Sequence, residues 1–253
     1  MAENCLNFKF DSFFCMKAPL NLIFVMLFSF LSTEAQDKPK KPYELHEEAE
    51  REYNDGNFES AIRLLDRCLT ANPGYIDAYS LRGSVREQLG DLDGALTDYS
   101  IYIENYPDHV DVLMSRATLR YRIGFYDLAR EDFQRLLVLP PPGETNTLFF
   151  RKSMSVNDRN PVLTTTEGHH TSYLYNYLGL TEFRLNNLTS AIGYLDSAIR
   201  LNHSEPDYFV NRGLAREKLG DSTAYLDYER ALQINPNHTP ARHNLTAFQA
   251  KLL

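Results

Sequence analysis

The residues of this chain suited to chemistry are few and scattered. His46-Glu47-Glu48-Ala49-Glu50 begins like a zinc-binding helix, in which two histidines four residues apart put both ligands on one face. Glu50 stands where the second histidine would be, so the stretch reads as a solvated helix face. His169 and His170 are adjacent and point apart on any regular element, with no carboxylate or cysteine spaced to complete a metal site. Of the cysteines, Cys5 and Cys15 fall in the leader described below, and Cys68 occupies a position for a small, buried residue and has no basic neighbour in its repeat face, which makes it a core residue rather than a nucleophile. There is no phosphate-binding glycine loop, nucleophile elbow or CxxC pair. The reading is of a protein that is not an enzyme, with no catalytic residues, no metal and no cofactor.

Composition narrows the partners. The 253 residues are 43% hydrophobic, contain no tryptophan and carry a net charge of −8, ordinary values for a folded chain. An acidic balance lacks the basic footprint that releases counterions from a polyanion, so nucleic acid is not expected as a partner.

The N-terminal stretch reads as a targeting signal. Lys17 precedes an apolar run from Leu20 to Leu31, and Ser32-Thr33-Glu34-Ala35 supplies a small-residue cleavage site. Residues 1–35 are therefore expected to be a signal peptide, leaving Gln36 first and 36–41 as a Pro/Lys linker. Counted from Met16 the leader has normal proportions, which makes Met16 the expected start of translation. A retained anchor is the competing reading, but the run is about a dozen residues and a spanning helix needs roughly 20. The expected location is periplasmic or secreted, with no stable membrane insertion after cleavage. Asn187, Asn202, Asn237 and Asn244 open formal glycosylation sequons that matter only in a eukaryotic secretory pathway.

With so little chemistry to position, the elements must build a surface. Gly56, Gly90 and Gly124 are spaced by 34 residues, as are Ala61, Ala95 and Ala129, and Pro73, Pro107 and Pro141. Three residue types holding one period mark a repeat array whose units are too small to bury their own apolar faces and must stack. Units starting at Pro42, Ile76, Val110, Ser172 and Pro206 put Ala49, Gly83, Ala117, Gly179 and Gly213 at position 8. Position 20 holds Ala61, Ala95, Ala129, Ala191 and, with one residue deleted after Gly220, Ala224. Position 24 is large and apolar throughout: Leu65, Tyr99, Phe133, Leu195 and Tyr228. Small residues at 8 and 20 let two helices pack closely. Gly56, Gly90, Gly124, Gly220 and Asn186 sit where a first helix must end in a left-handed residue. Asn57, Asp91 and Asp221 follow as candidate N-caps of the second helix.

This pattern resembles the tetratricopeptide repeat, a helix-turn-helix unit of 34 residues with small residues at positions 8, 20 and 27 and proline at 32. The expected fold is all-α: an α-solenoid of about five repeats, three over residues 42–141 and two over 172–236, closed by a capping helix over 237–253. The frame breaks over residues 142–171, where Thr147–Lys152 and Val162–Thr166 are rich in aromatic and β-branched residues around a polar turn. That insertion is expected to be a small β-hairpin or ordered loop, the alternative being a disordered linker.

The resemblance implies that positions 2, 5, 9, 12 and 13 of each first helix line a concave binding surface. The candidate partner-binding residues are Tyr43, His46, Glu50, Tyr53 and Asn54 in the first unit and Met114, Tyr121 and Arg122 in the third. Tyr173, Asn176, Phe183 and Arg184 follow in the fourth, with Phe149 and Phe150 from the insertion. Tyr, Arg, Asn and Met in such a groove suit recognition of a protein or peptide; the plain alternative is an idle solvated face. The family's terminal-carboxylate clamp needs lysines, asparagines and an arginine, where this chain has His46, Glu50, Leu81, Asp111 and Ser115, so that ligand mode is not expected. The expected function is a non-catalytic protein-interaction scaffold or adaptor of the bacterial envelope type. The alternative is an accessory glycan-binding module of cell-wall or surface-polysaccharide machinery.

Overall fold

The computed structural model of the chain describes residues 40–139 and 170–251. The chain divides into Met1–Lys40, of which only Lys40 is described, and Lys41–Leu253. The expected signal peptide, nearly all of the linker, and Phe149 and Phe150 lie outside the described residues.

Eleven helices and no strand occur among the described residues. They are α1 Pro42–Asn54, α2 Phe58–Ala71, α3 Asp77–Leu89, α4 Leu92–Asn105, α5 Val110–Arg122 and α6 Tyr126–Val138. After the undescribed residues come α7 His170–Arg184, α8 Leu188–Leu201, α9 Pro206–Leu219, α10 Ala224–Ile234 and α11 Thr239–Ala250. Each helix packs on the next, and the first helices also touch at α1–α3, α7–α9 and α9–α11. Five helix pairs and a single last helix thus follow the 34-residue frame. The insertion is corrected at one boundary, since His170 and Thr171, expected to close it, begin α7. The β-hairpin finds no strand among the described residues, and residues 142–169 lie outside them.

The small positions work as packing dictates. Ala49, Ala61, Ala95, Ala117, Ala129, Ala191 and Ala224 are wholly buried. At Gly83 a Cβ would come within 2.7 Å of the Tyr99 ring, and at Gly213 within 2.6 Å of the Tyr228 ring. Gly179 is crowded alike by Leu195 at 2.6 Å, so glycine at position 8 makes room for the large side chain at position 24 of its own unit. The turns agree too: Gly56, Gly90, Gly124 and Gly220 have φ between 80° and 91°, and Asn186 has φ 65°. Pro73, Pro107 and Pro236 lie just beyond α2, α4 and α10, and Pro141 lies outside the described residues.

Two capping expectations need correction. Asp91 caps α4 by accepting from Gly94 N, but Asn57 makes no side-chain cap bond. Asp221 instead accepts from the backbone N and hydroxyl of Thr223 at 2.8 and 2.7 Å, because the deleted residue moves the start of α10 to Ala224.

Candidate functional site

The first-helix positions diverge sharply along the array. In repeat 1 they are accessible: Tyr43 is 46% exposed, Glu50 and Asn54 are exposed, and His46 and Tyr53 are half-buried. His46 lies 5.4 Å from the Tyr75 ring, and Tyr53 lies 5.6 Å from Phe58. In repeat 2, Asp77 and Gln88 are exposed, while Ser80, Ser84 and Glu87 are half-buried. Burial, then the Glu87 carboxylate, pushes the Tyr53 hydroxyl above its ordinary range. Tyr53 therefore stays a hydrogen-bond donor at any physiological pH.

Further along, most of the same positions are packed, while Arg184 and Lys218 stay exposed. Met114 is 0%, Tyr121 5% and Asn176 1% exposed, which removes all three from the accessible set. The Tyr121 ring meets Tyr126 and Tyr177 edge-on, and Tyr177 stacks on Phe133 at 4.9 Å. Tyr173 is half-buried, and its hydroxyl donates to that of Tyr177 at 3.0 Å. Asn176 Oδ1 accepts from Asn211 Nδ2 at 2.9 Å. Tyr177, at position 6 where repeats 1 and 2 carry Glu47 and Leu81, packs with Tyr126 on Tyr121, whereas among the described residues Tyr53 at the same position 12 meets only the Phe58 ring.

The cations at position 13 are engaged across repeats. Arg122 pairs with Glu87, which also accepts from the Tyr99 hydroxyl at 3.1 Å. Arg184 Nε donates to the Tyr121 hydroxyl at 3.4 Å, and Lys218 lies 4.8 Å over the Phe183 ring. Lys251 donates to Glu217 at 2.6 Å, and Glu217 accepts from the Tyr228 hydroxyl at 2.7 Å. In each case position 12 of one repeat receives position 13 of the next. Arg122, Phe183 and Arg184 thus link one repeat to the next.

A second recurring network was not anticipated from the sequence. Asp98 accepts from Arg82 Nε and Nη2 at 2.9 and 2.8 Å and from Arg86 Nη1 at 2.8 Å. Asp132 accepts in the same way from Arg116 at 3.0 and 2.8 Å and from Arg120 at 2.6 Å. Asp227 does so from Arg212 and from Arg216, the latter at 3.0 Å. The first arginine also reaches back to the preceding repeat, at Asp66, Ser100 and Asp196 respectively. These residues occupy positions 7, 11 and 23, so the 34-residue period of Arg82/Arg116 and Asp98/Asp132 was available in the sequence. Repeat 4 has Leu178, Glu182 and Tyr194 instead, and Glu182 accepts from Asn187 Nδ2 at 2.7 Å.

Cys68 is buried, and its Sγ lies 3.1 Å from Pro42 O; burial pushes its thiol pKa up. Among the described residues no group of three His, Cys, Asp or Glu side chains could hold a metal ion, and no helix is long and apolar enough to cross a membrane.

The sequence model of the tetratricopeptide repeat matches residues 46–110 and 88–144. No curated sequence matches the chain. Among solved structures, YrrB, described as a TPR protein with an unusual peptide-binding site, superposes with a TM-score of 0.63 at 16% identity, covering 83% of this chain and 91% of YrrB. MamA residues 41 to the end from Desulfovibrio magneticus RS-1 gives 0.62 at 17% identity, covering 80% and 99%. A double mutant of the RS-1 MamA gives 0.61 at 17%, covering 79% and 97%. At these identities the likeness is one of fold, and the matched segments show tetratricopeptide repeats over residues 46–144.

Proposed function

We propose that the chain is a non-catalytic interaction scaffold whose partner is a protein or peptide lying along the first helices of repeats 1 and 2. The observation that carries this reading is the contrast in access. Tyr43, His46, Glu50, Tyr53, Asn54 and Gln88 are reachable, whereas Met114, Tyr121 and Asn176 at equivalent positions are buried. An extended peptide brings unpaired backbone donors and acceptors, which Ser80, Ser84, Asn54 and Gln88 can meet at short range. Tyr43 and Tyr53 add rigid contact area at a low entropic cost. Beneath them the Tyr99–Glu87–Arg122 network ties repeat 2 to repeat 3, which holds this face in shape before a ligand arrives. The peptide-binding description of YrrB, a protein of the same fold, supports the same class of partner.

The test is a selection from a displayed peptide library, followed by calorimetry on the selected peptides. Saturable binding that His46→Ala with Tyr53→Ala weakens by about tenfold or more is the expected result. Failure to select any peptide, or unchanged affinity in that variant with helicity intact, overturns the reading. We further propose that the protein works in the bacterial envelope, exported by the leader pattern at Lys17–Ala35. N-terminal sequencing of the periplasmic fraction should find Gln36 first; residence of the uncleaved chain in the cytoplasm would refute it.

A further inference from the structure

Each first helix packs mainly on the preceding second helix, and its side chains also meet those of the preceding first helix in a fixed register. Position 5 touches position 6 of the following repeat, as Asn176 does Asn211 at 2.9 Å. Position 1 touches position 3, as Ser172 does Tyr208 at 3.3 Å. Position 12 touches position 13 at Glu87–Arg122, Tyr121–Arg184 and Glu217–Lys251. The last helix, α11, keeps this register: counted from Thr239, Lys251 falls at position 13. His238 caps α11 by accepting from Ala241 N, as His109 caps α5 by accepting from Val112 N. The last helix is therefore the first helix of a sixth unit.

Its own forward positions, 1, 5 and 12, are Thr239, His243 and Ala250, and all three are exposed. Beside them Tyr225, at position 21, is exposed, although Ile62, Leu96 and Ile192 at that position are half-buried. A stacking surface that is covered at every interior repeat is open here. At the other end of the array, the backward positions 6 and 13 of α1 are Glu47 and Asn54, also exposed. The two ends differ in charge: α1 carries Glu44, Glu47, Glu48, Glu50 and Glu52 against Arg51, whereas α11 carries Arg242 and His243 and no acid.

We propose that the partner of this open end is a second copy of the chain, its α1 laid against α11 in the register that side chains of successive first helices keep. The register sets Glu47 opposite His243, with an imidazole N–H donating to the carboxylate, and Asn54 opposite the small Ala250. The contact is heterologous, because each copy offers one end and keeps the other, so association continues past the dimer unless it closes a ring. It shares Asn54 with the face of repeats 1 and 2 proposed for the peptide, while Glu47 and His243 belong to this contact alone.

Sedimentation velocity of the full chain over a range of concentrations, at low and high salt, reads it out. Reversible association weakened by salt is the expected result. Glu47→Lys, which removes the acceptor for the imidazole N–H, and His243→Glu, which sets two carboxylates together, should each weaken association by about tenfold or more, and the double variant should restore it. Both sites are exposed, so circular dichroism should be unchanged. A chain that stays monomeric throughout overturns the proposal. So does association that ignores both single changes, the behaviour expected of contact through the apolar run at Leu20–Leu31.

Discussion

Asp98, Asp132 and Asp227 are carboxylates with almost no access to water, and each would be costly to bury alone. Two guanidinium groups meet each one, the first by a two-pronged contact that also reaches the preceding repeat. The arrangement implies asymmetric outcomes on substitution. Asp132→Ala leaves Arg116 and Arg120 uncompensated in a largely enclosed site and should cost about 3–5 kcal/mol in urea denaturation. Asp66→Ala removes an exposed partner of Arg82 and should cost under about 1 kcal/mol. Equal losses at the two positions would show that burial does not govern these pairs. Repeat 4 shows that the fold does without the network when the whole set is exchanged, as Leu178, Glu182 and Tyr194 together replace Arg, Arg and Asp.

At the scale of the helix pair, stability rests on matching position 8 to position 24. Gly213→Ala gains helix propensity of up to about 1 kcal/mol, but its methyl would sit 2.6 Å from a Tyr228 ring that is wholly buried and held by Glu217. The overpacking cost, about 1–3 kcal/mol, should win and lower the melting temperature. In the Tyr228→Ala background, which removes the ring and leaves no large side chain at position 24, the same change should be neutral or stabilising; a loss of equal size in both backgrounds would exclude the ring as the cause. This pairing was legible in the sequence because it repeats: the glycines, alanines and prolines fall on one period and each has a single geometric meaning. The accessible face was not legible to the same degree. Tyr53 and Tyr121 hold the same position, yet one is reachable and the other is buried by Tyr126 and Tyr177, which belong to different helices. Periodicity tells which way a side chain leaves its helix, but not how large the neighbour's side chain is when it arrives. The cations at position 13 misled for a related reason, since Arg122, Arg184 and Lys218 look free until the preceding repeat supplies Glu87, Tyr121 and Phe183.

Over the whole molecule, tyrosine takes the structural place that tryptophan holds in many cores, and this makes the array sensitive to alkali. Tyr99, Tyr177 and Tyr228 are almost completely buried, and burial in each case is the main cause that pushes the hydroxyl well above its ordinary value of 10. Burial likewise raises Tyr102 and Tyr208 to about 12. The folded state thus keeps these protons after the unfolded chain has released them. Stability from this source is complete below pH 10 and declines as the pH rises from there toward the folded values. Each fully buried tyrosine takes away about 1.4 kcal/mol per pH unit in that window, so Tyr99, Tyr177 and Tyr228 together should remove about 4 kcal/mol by about pH 11. Urea denaturation followed across this range should show a midpoint that holds up to pH 10 and then falls steeply. Tyrosinate absorbance should rise in two stages, the exposed tyrosines first and the buried ones only as helicity is lost. A single smooth titration with helicity intact would mean that the buried hydroxyls ionise in place, and that the rings between repeats are looser than their contacts with Phe133, Tyr121 and Glu217 imply.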